Sequence, residues 1–374
     1  MNLKHIYWFA HYNLTCPSTR YRGIIPLNHL SQIYGVGYDF VFPERSLKGI
    51  AKFFRIYLSS LFFRKSNSMI VVQKVCSNGI YANLLKLLIV LRPNCTQYDL
   101  DDAEYYRSGT QSLHFFLRHC KTISVGSAAL KAYCLQFNPN VSILTSPVSK
   151  HGVVKKRKRN NKLHIGWVGD FGNGKIISRA FSQKTSLFEL LFPALRNVKH
   201  QVKVILIGVT RESDIAMVKD YFKDIPNVAL EIPTDLNWQD DRWLYNEISR
   251  FDIGISAISN HPFNQSKSAF KVKQYLSVGV PVAASNVGEN KRFTINSKNG
   301  FLCEKSEDFL RAIDCISEMA DSDYNQMCEN AIENRQIYSV ENYCKMLMAF
   351  YSKQINLKKM VYTTGQKIMK SVTK

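Results

Sequence analysis

The segment Phe251–Leu302, FDIGISAISNHPFNQSKSAFKVKQYLSVGVPVAASNVGENKRFTINSKNGFL, constrains this chain more than any other. Ile253 to Ile258 reads as a buried strand. A loop with two lysines and a serine follows, at the mouth of a helix expected from about Ser268 to Val278. Gly279 ends that helix, because a residue without Cβ takes the left-handed C′ conformation cheaply. A second strand, PVAAS, leads to a glycine loop at Gly288. Strand, loop, helix and strand form one βαβ unit, and open α/β sheets bind ligands at the carboxyl ends of their strands. A helix N-terminus offers free N–H groups and the positive end of a dipole. With Lys267, Ser268 and Lys271 beside it, this mouth suits a diphosphate.

The rest of the chain repeats the pattern. At 374 residues it is too long for one ordinary core and suits two domains. Lys4 to Phe9 reads as a first strand. The loop CPSTRYRG from Cys16 to Gly23 follows at its carboxyl end, then a helix from about Ile25 to Tyr34. Met69 to Gln73 is a further buried strand. Gln97 to Tyr105 is a strand end that opens into an acidic loop, and Val141 to Leu144 closes the first half. Val153 to Lys162, VVKKRKRNNK, reads as an exposed linker, since like charges cannot pack. The second half opens with LHIGWVGDFGNGK, a strand and a glycine loop, and Val202 to Gly208 is a parallel-sheet strand. The expected division is 1–152, a linker over 153–162, 163–338, and a terminal helix with a basic tail over 339–374.

The Phe251–Leu302 segment also resembles the donor-nucleotide motif of GT-B glycosyltransferases, in particular the retaining family 4. The resemblance rests on Phe251-Asp252-Ile253-Gly254-Ile255, Pro262-Phe263-Asn264, Lys267-Ser268, Lys271, Tyr275, Gly279-Val280-Pro281-Val282, Ala284-Ser285 and Asn299-Gly300-Phe301-Leu302. It implies an α/β protein of GT-B architecture, with two Rossmann-like doubly wound domains facing across a cleft. It implies sugar transfer from a nucleotide-sugar donor, with retention and without a metal or other cofactor. Lys267 and Lys271 then neutralise the leaving diphosphate, while Gly169, Lys175, Ser268, Gln274 and Gly288 line the donor. Relatives usually carry a glutamate at the place of Gln274. Glutamine keeps a carbonyl acceptor for the donor ribose but loses the charge.

The STRYR loop resembles an element near the start of many such transferases, where Arg20 and Arg22 would hold a phosphate of donor or acceptor. YDLDD resembles an element facing the transferred sugar, which makes Asp99 a catalytic candidate and sets Asp101 and Asp102 toward acceptor hydroxyls. Read from residues alone, that cluster leaves a metal site, an acceptor contact and helix capping open. The segment from Val340 to Tyr351 resembles the terminal helix that returns to the first domain. The expected acceptor is a glycan or lipid-linked glycan of a bacterial surface. An epimerase or hydrolase of the same fold is the alternative, as is a non-enzymatic basic binder.

The formal net charge of +21 calls for a partner, nucleic acid or an anionic membrane, or else serves solubility. No RNP, KH, zinc-finger or helix-turn-helix signature supports nucleic acid. Ser46 to Lys65, SLKGIAKFFRIYLSSLFFRK, has no acid. Leu47, Ile50, Phe54, Leu58, Leu61 and Phe62 recur in it at helical spacing, beside Lys48, Lys52, Arg55, Arg64 and Lys65. This composition fits an interfacial helix on an anionic membrane, with Phe53, Phe54, Phe62 and Phe63 buried in it; a core helix with snorkelling lysines is the competing reading. No apolar run reaches the ~18 to 20 residues of a spanning helix. The strand-like start lacks a small-residue cleavage site, and the nine cysteines show no paired spacing. Both point to a cytoplasmic protein with reduced thiols, and the Ser46–Lys65 segment to one peripheral on the inner face of the membrane.

Overall fold

The structure is a computed structural model that describes residues 3–62, 65, 67–107, 109–155, 162–172 and 181–352. The chain divides into two compact units, Met1–Pro147 with the segment from Val340, and Val148–Ser339. Each holds one parallel six-stranded sheet.

The first unit contains β1 (His5–Ala10), β2 (Gly37–Val41), β3 (Ser68–Gln73), β4 (Thr96–Leu100), β5 (Thr122–Val125) and β6 (Val141–Ile143), in the order β2-β1-β3-β4-β5-β6. The central strands are apolar runs buried along their whole length, as parallel strands covered on both faces must be. Ala10 pairs with Gln73 and Gln73 with Asp99, so the carboxyl ends of β1, β3 and β4 are level. The helix over 340–352 belongs to this unit. Its Tyr343 and Leu347 share a core cluster with Trp8, Leu27, Leu30 and Val71.

The segment expected as a loop after β1 is helical. Thr19–Ile24 forms a π turn that runs into the helix Ile25–Tyr34. Pro26 has no N–H to give the carbonyl of Arg22, four residues before it, so an ordinary α turn cannot close there. Tyr343 Oη donates to that carbonyl instead, at 3.0 Å.

The second unit contains β7 (Leu163–Val168), β8 (Val202–Ile207), β9 (Val228–Glu231), β10 (Ile253–Ser256), β11 (Val282–Ser285) and β12 (Gly300–Cys303). Their order is β12-β11-β10-β7-β8-β9. Counted within the unit this is 3-2-1-4-5-6, the Rossmann order, and the strand order reverses between β7 and β10.

Val153 and Lys155 are not exposed linker. Val153 packs on the core of the second unit. Lys155 is buried, its N–H bonded to Val278 O and its Nζ 3.0 Å from Asp252 Oδ1. The other Asp252 oxygen accepts from the N–H of His164, so this aspartate joins the start of β7 to the start of β10. The remaining linker positions 156–161 and the tail from Lys353 lie outside the described residues.

Candidate active site

The point where β7 and β10 adjoin gathers most of the expected donor residues. The helix Phe270–Ser277 follows β10, two residues shorter at its start than its sequence suggests. Ala269 stands before it in the left-handed region (φ 53°), which ends the preceding turn and forbids an earlier helical start. At the other end Gly279 has φ 86°, the left-handed conformation expected of it. Tyr275 fixes the helix to both strands. Its hydroxyl donates to Ile255 O at 3.1 Å and accepts from the Val168 N–H at 3.0 Å. Sequence matching marks Tyr275 as part of the motif, but only the structure gives it this positioning work.

Lys271 lies in the first turn of that helix. Its Nζ donates to Gln183 Oε1 at 2.9 Å and sits 5.7 Å from the centre of the Trp167 ring. Gln274 follows one turn later on the same side and is buried. Lys267 Nζ lies 4.7 Å from the Phe263 ring centre, and Phe181 stacks on that same ring with centroids 4.4 Å apart. Ser268 is buried beside them.

The backbone comes close on the β7 side. A Cβ on Gly208, which has φ 112°, would fall 1.7 Å from Gly169 O, and a Cβ on Gly169 would fall 2.7 Å from Lys271 Cε. Backbone bars any side chain at Gly208, and one at Gly169 would displace Lys271 or Trp167, so this strand end is bare of side chains next to a lysine. Gly288, after β11, packs its backbone against Gln265. Lys271 thus meets Gly169 at the β7–β10 edge, with Gln274 one turn on in the same helix, Lys267 and Ser268 just before that helix, and Gly288 against Gln265 of the preceding loop. Lys175 lies outside the described residues.

In the first unit the expected residues take other work. Arg22 and Asp99 form a fully buried ion pair. Arg22 Nε donates to Asp99 Oδ2 at 2.9 Å, and further N–H groups reach Asp99 Oδ1, Leu144 O and Ser146 Oγ. Burial opposes the Arg22 charge, but the Asp99 carboxylate beside it holds the guanidinium above its ordinary pKa. Ser124 Oγ and Gln73 Nε2 also donate to Asp99. The groups expected at a phosphate and in catalysis, Arg22 and Asp99, are thus engaged with each other in this structure.

The neighbouring carboxylates close on Lys74. Its Nζ lies 3.2 Å from Asp101, 2.6 Å from Asp102 and 3.3 Å from Glu104. Burial works against this ammonium, yet the three carboxylates keep its pKa well above the usual value. Burial pushes Glu104 upward. A positive charge thus occupies the centre of the acidic cluster. Among the described residues no group of three or more His, Cys, Asp or Glu is arranged to hold a metal ion. Of the expected acceptor contacts, Asp102 keeps 21% of its side chain exposed, and Arg20 is half-buried over the Tyr21 ring.

No protein-family model matches the sequence, and no curated protein matches it. Solved structures do. HepE of Anabaena in complex with UDP covers 93% of this chain with 100% of its own, at 13% identity and TM-score 0.61. A glycosyltransferase from Rickettsia africae covers 95% with 99% of its own, at 15% identity and TM-score 0.68. The lipopolysaccharide outer core galactosyltransferase WaaB covers 95% with 99% of its own, at 11% identity and TM-score 0.58.

The fold is that of the GT-B glycosyltransferases.

Within this GT-B fold the second unit has the ligand-ready edge. Helix N–H groups and two lysines beside a glycine-lined strand end are an arrangement that can bind an anion.

Proposed function

We propose that this chain is a glycosyltransferase. It moves a sugar from a nucleotide-sugar donor to a glycan or lipid-linked acceptor in the assembly of a bacterial surface polysaccharide. The supporting observation is the mouth of the helix Phe270–Ser277, set with Lys271 at the point where the strand order reverses. HepE has been crystallised with UDP and with UDP-glucose, and WaaB acts on the lipopolysaccharide outer core; both lend this reading its classes of donor and acceptor.

In the reaction, the bond from the anomeric carbon to the diphosphate oxygen breaks. A new bond forms to an acceptor hydroxyl, whose proton passes to the departing diphosphate oxygen. Negative charge grows on the departing diphosphate. Lys267, Lys271 and the helix N–H groups stabilise that charge more in the transition state than in the bound donor, which is what accelerates the step. They supply the positive charge that a metal supplies in other transferases, so the reading is metal-independent. The resemblance to family 4 gives it retention at the anomeric carbon. The Gln274 carbonyl oxygen accepts from a ribose hydroxyl. Asp102 and Arg20, the more open of the first-unit candidates, contact the acceptor. Lys175, which follows β7 in the sequence, is the further donor candidate.

The test is incubation with a panel of nucleotide sugars, with and without glycan acceptors. Nucleoside diphosphate released only with acceptor supports transfer. Release without acceptor points to a hydrolase, and interconversion of the sugar to an epimerase. No turnover and no nucleotide binding across the panel would leave a non-enzymatic binder.

A further inference from the structure

Two helices of the first unit leave large apolar side chains in solvent on adjoining sides. In the helix Leu47–Leu61, Phe53, Ile56, Tyr57 and Ser60 face the core. Leu47, Ile50, Phe54 and Leu58 are exposed, Leu47 by 86%, and Phe62 just past the helix end by 65%. In the helix Ile80–Leu91, Ile80, Leu87, Val90 and Leu91 are exposed. The two helices are neighbours: Tyr57 Oη donates to Leu84 O at 3.0 Å and Arg92 Nε to Leu61 O at 2.6 Å. Leu58 adjoins Tyr57, and Leu87 and Leu91 lie three and seven residues beyond Leu84. Both apolar stripes therefore border the same seam.

Charge is arranged around this face. At about 100° per residue, Lys48, Lys52 and Arg55 form a row roughly a third of a turn beyond the apolar stripe, on the side away from the seam. All three are exposed. Between Glu44 and Asp99 the sequence holds nine Lys or Arg and no Asp or Glu. Glu44 itself lies over Gly49, on the core-facing side of the helix. Among the described residues no helix is long and apolar enough to cross a membrane.

We propose that this two-helix face docks on the surface of an anionic lipid bilayer. The apolar stripes enter the boundary between head groups and acyl chains, and the basic row meets the head groups. A second copy of the chain fits less well, since a two-fold contact brings the same basic rows together. Nucleic acid would use the charges and leave the apolar stripes in water. The expectation of membrane contact through Phe53 is corrected, because Phe53 packs inward against Phe9, Tyr57 and Tyr81; Phe63 and Arg64 lie outside the described residues. The proposal stands apart from the transferase reading, since vesicle binding needs no donor.

The experiment is co-sedimentation of the full chain with phosphatidylglycerol-containing and pure phosphatidylcholine vesicles across a salt series. The protein is expected to pellet with anionic vesicles at low salt. Salt should release it, as exposed charges are screened over ~8 Å at physiological ionic strength. The triple variant Lys48→Glu, Lys52→Glu, Arg55→Glu and the double variant Phe54→Ser, Leu58→Ser should each weaken binding about tenfold or more. Circular dichroism confirms the fold, and Leu47→Ser serves where a multiple variant fails to fold. Three outcomes overturn the proposal: no binding to anionic vesicles at low salt, binding unchanged in the folded variants, or a dimer split by Leu58→Glu in a protein that ignores vesicles.

Discussion

The two units share one architecture and treat charge at their strand ends in opposite ways. In the first, the arginine and lysine at the carboxyl edge are buried against carboxylates: Arg22 on Asp99, and Lys74 among Asp101, Asp102 and Glu104. In the second, the edge is built from Gly169 and Gly208 with backbone in near contact, and Lys271 meets the Gln183 amide and the face of Trp167. In a buried ion pair each charge is matched by the other, and removing one partner strands the other. A glycine edge beside a helix mouth instead lets a ligand approach the backbone closely. Basic residues at strand ends thus mean different things in the two halves of one chain.

The largest effect expected from this contrast is on stability. Arg22→Ala leaves Asp99 charged and buried, at a cost of about 3–5 kcal/mol. Chemical denaturation measures it, and a wild-type midpoint would show that the pair is not structural. Arg22→Met with Asp99→Leu sharpens the point, since removing both charges should restore much of the loss. Next comes Lys271→Ala, which should lower turnover by on the order of 10² with an unchanged unfolding midpoint, as expected of a group that stabilises leaving charge. If instead turnover holds and stability falls, the comparison between the units fails.

A smaller effect links the helix to pH. His151 Nδ1 accepts from the Val153 N–H, so its Nε2 donates to Ser277 Oγ, which in turn donates to Gln274 O. Burial, then Arg335, lowers the His151 pKa from 6.5 to about 4. The folded protein therefore stays neutral there while the unfolded chain takes up a proton. Stability should fall as pH drops below about 6.5 and the loss should be complete below about 4. The ring is partly exposed, so the loss is on the order of 1–2 kcal/mol. His151→Gln should flatten that part of a denaturation-against-pH curve; an unchanged slope would assign it elsewhere. The smallest effect is at Ala269. Its left-handed backbone costs an alanine roughly 1 kcal/mol, so Ala269→Gly should be neutral or stabilising by up to about that amount, where a helix-start alanine would lose stability. Thermal unfolding distinguishes the two.

These contrasts follow sequence legibility. The second-unit sheet could be read directly, since β8 is an apolar run and β10, the helix and β11 are punctuated by Gly279 and Pro281. The Arg22–Asp99 pair could not, because its members stand 77 residues apart and meet only once β1, β3 and β4 are level. Lys74 is likewise a single residue past a strand, and nothing local announces that three carboxylates surround it. The π turn at Thr19–Ile24 had a signal in Pro26, but its stabilising partner, Tyr343, lies at the far end of the sequence. In the helix Leu47–Leu61 the apolar stripe was visible, whereas which side faces the core depended on the packing of Phe53 and Tyr57.

The central claim is that the second-unit edge, and not the first, binds the diphosphate. Isothermal calorimetry with a panel of nucleoside diphosphates tests it on three proteins: wild type, Lys267→Ala with Lys271→Ala, and Lys74→Met. Binding to wild type, weakened about tenfold or more in the double variant and kept in folded Lys74→Met, is the predicted result. Full affinity in the double variant, or loss confined to Lys74→Met, would contradict it.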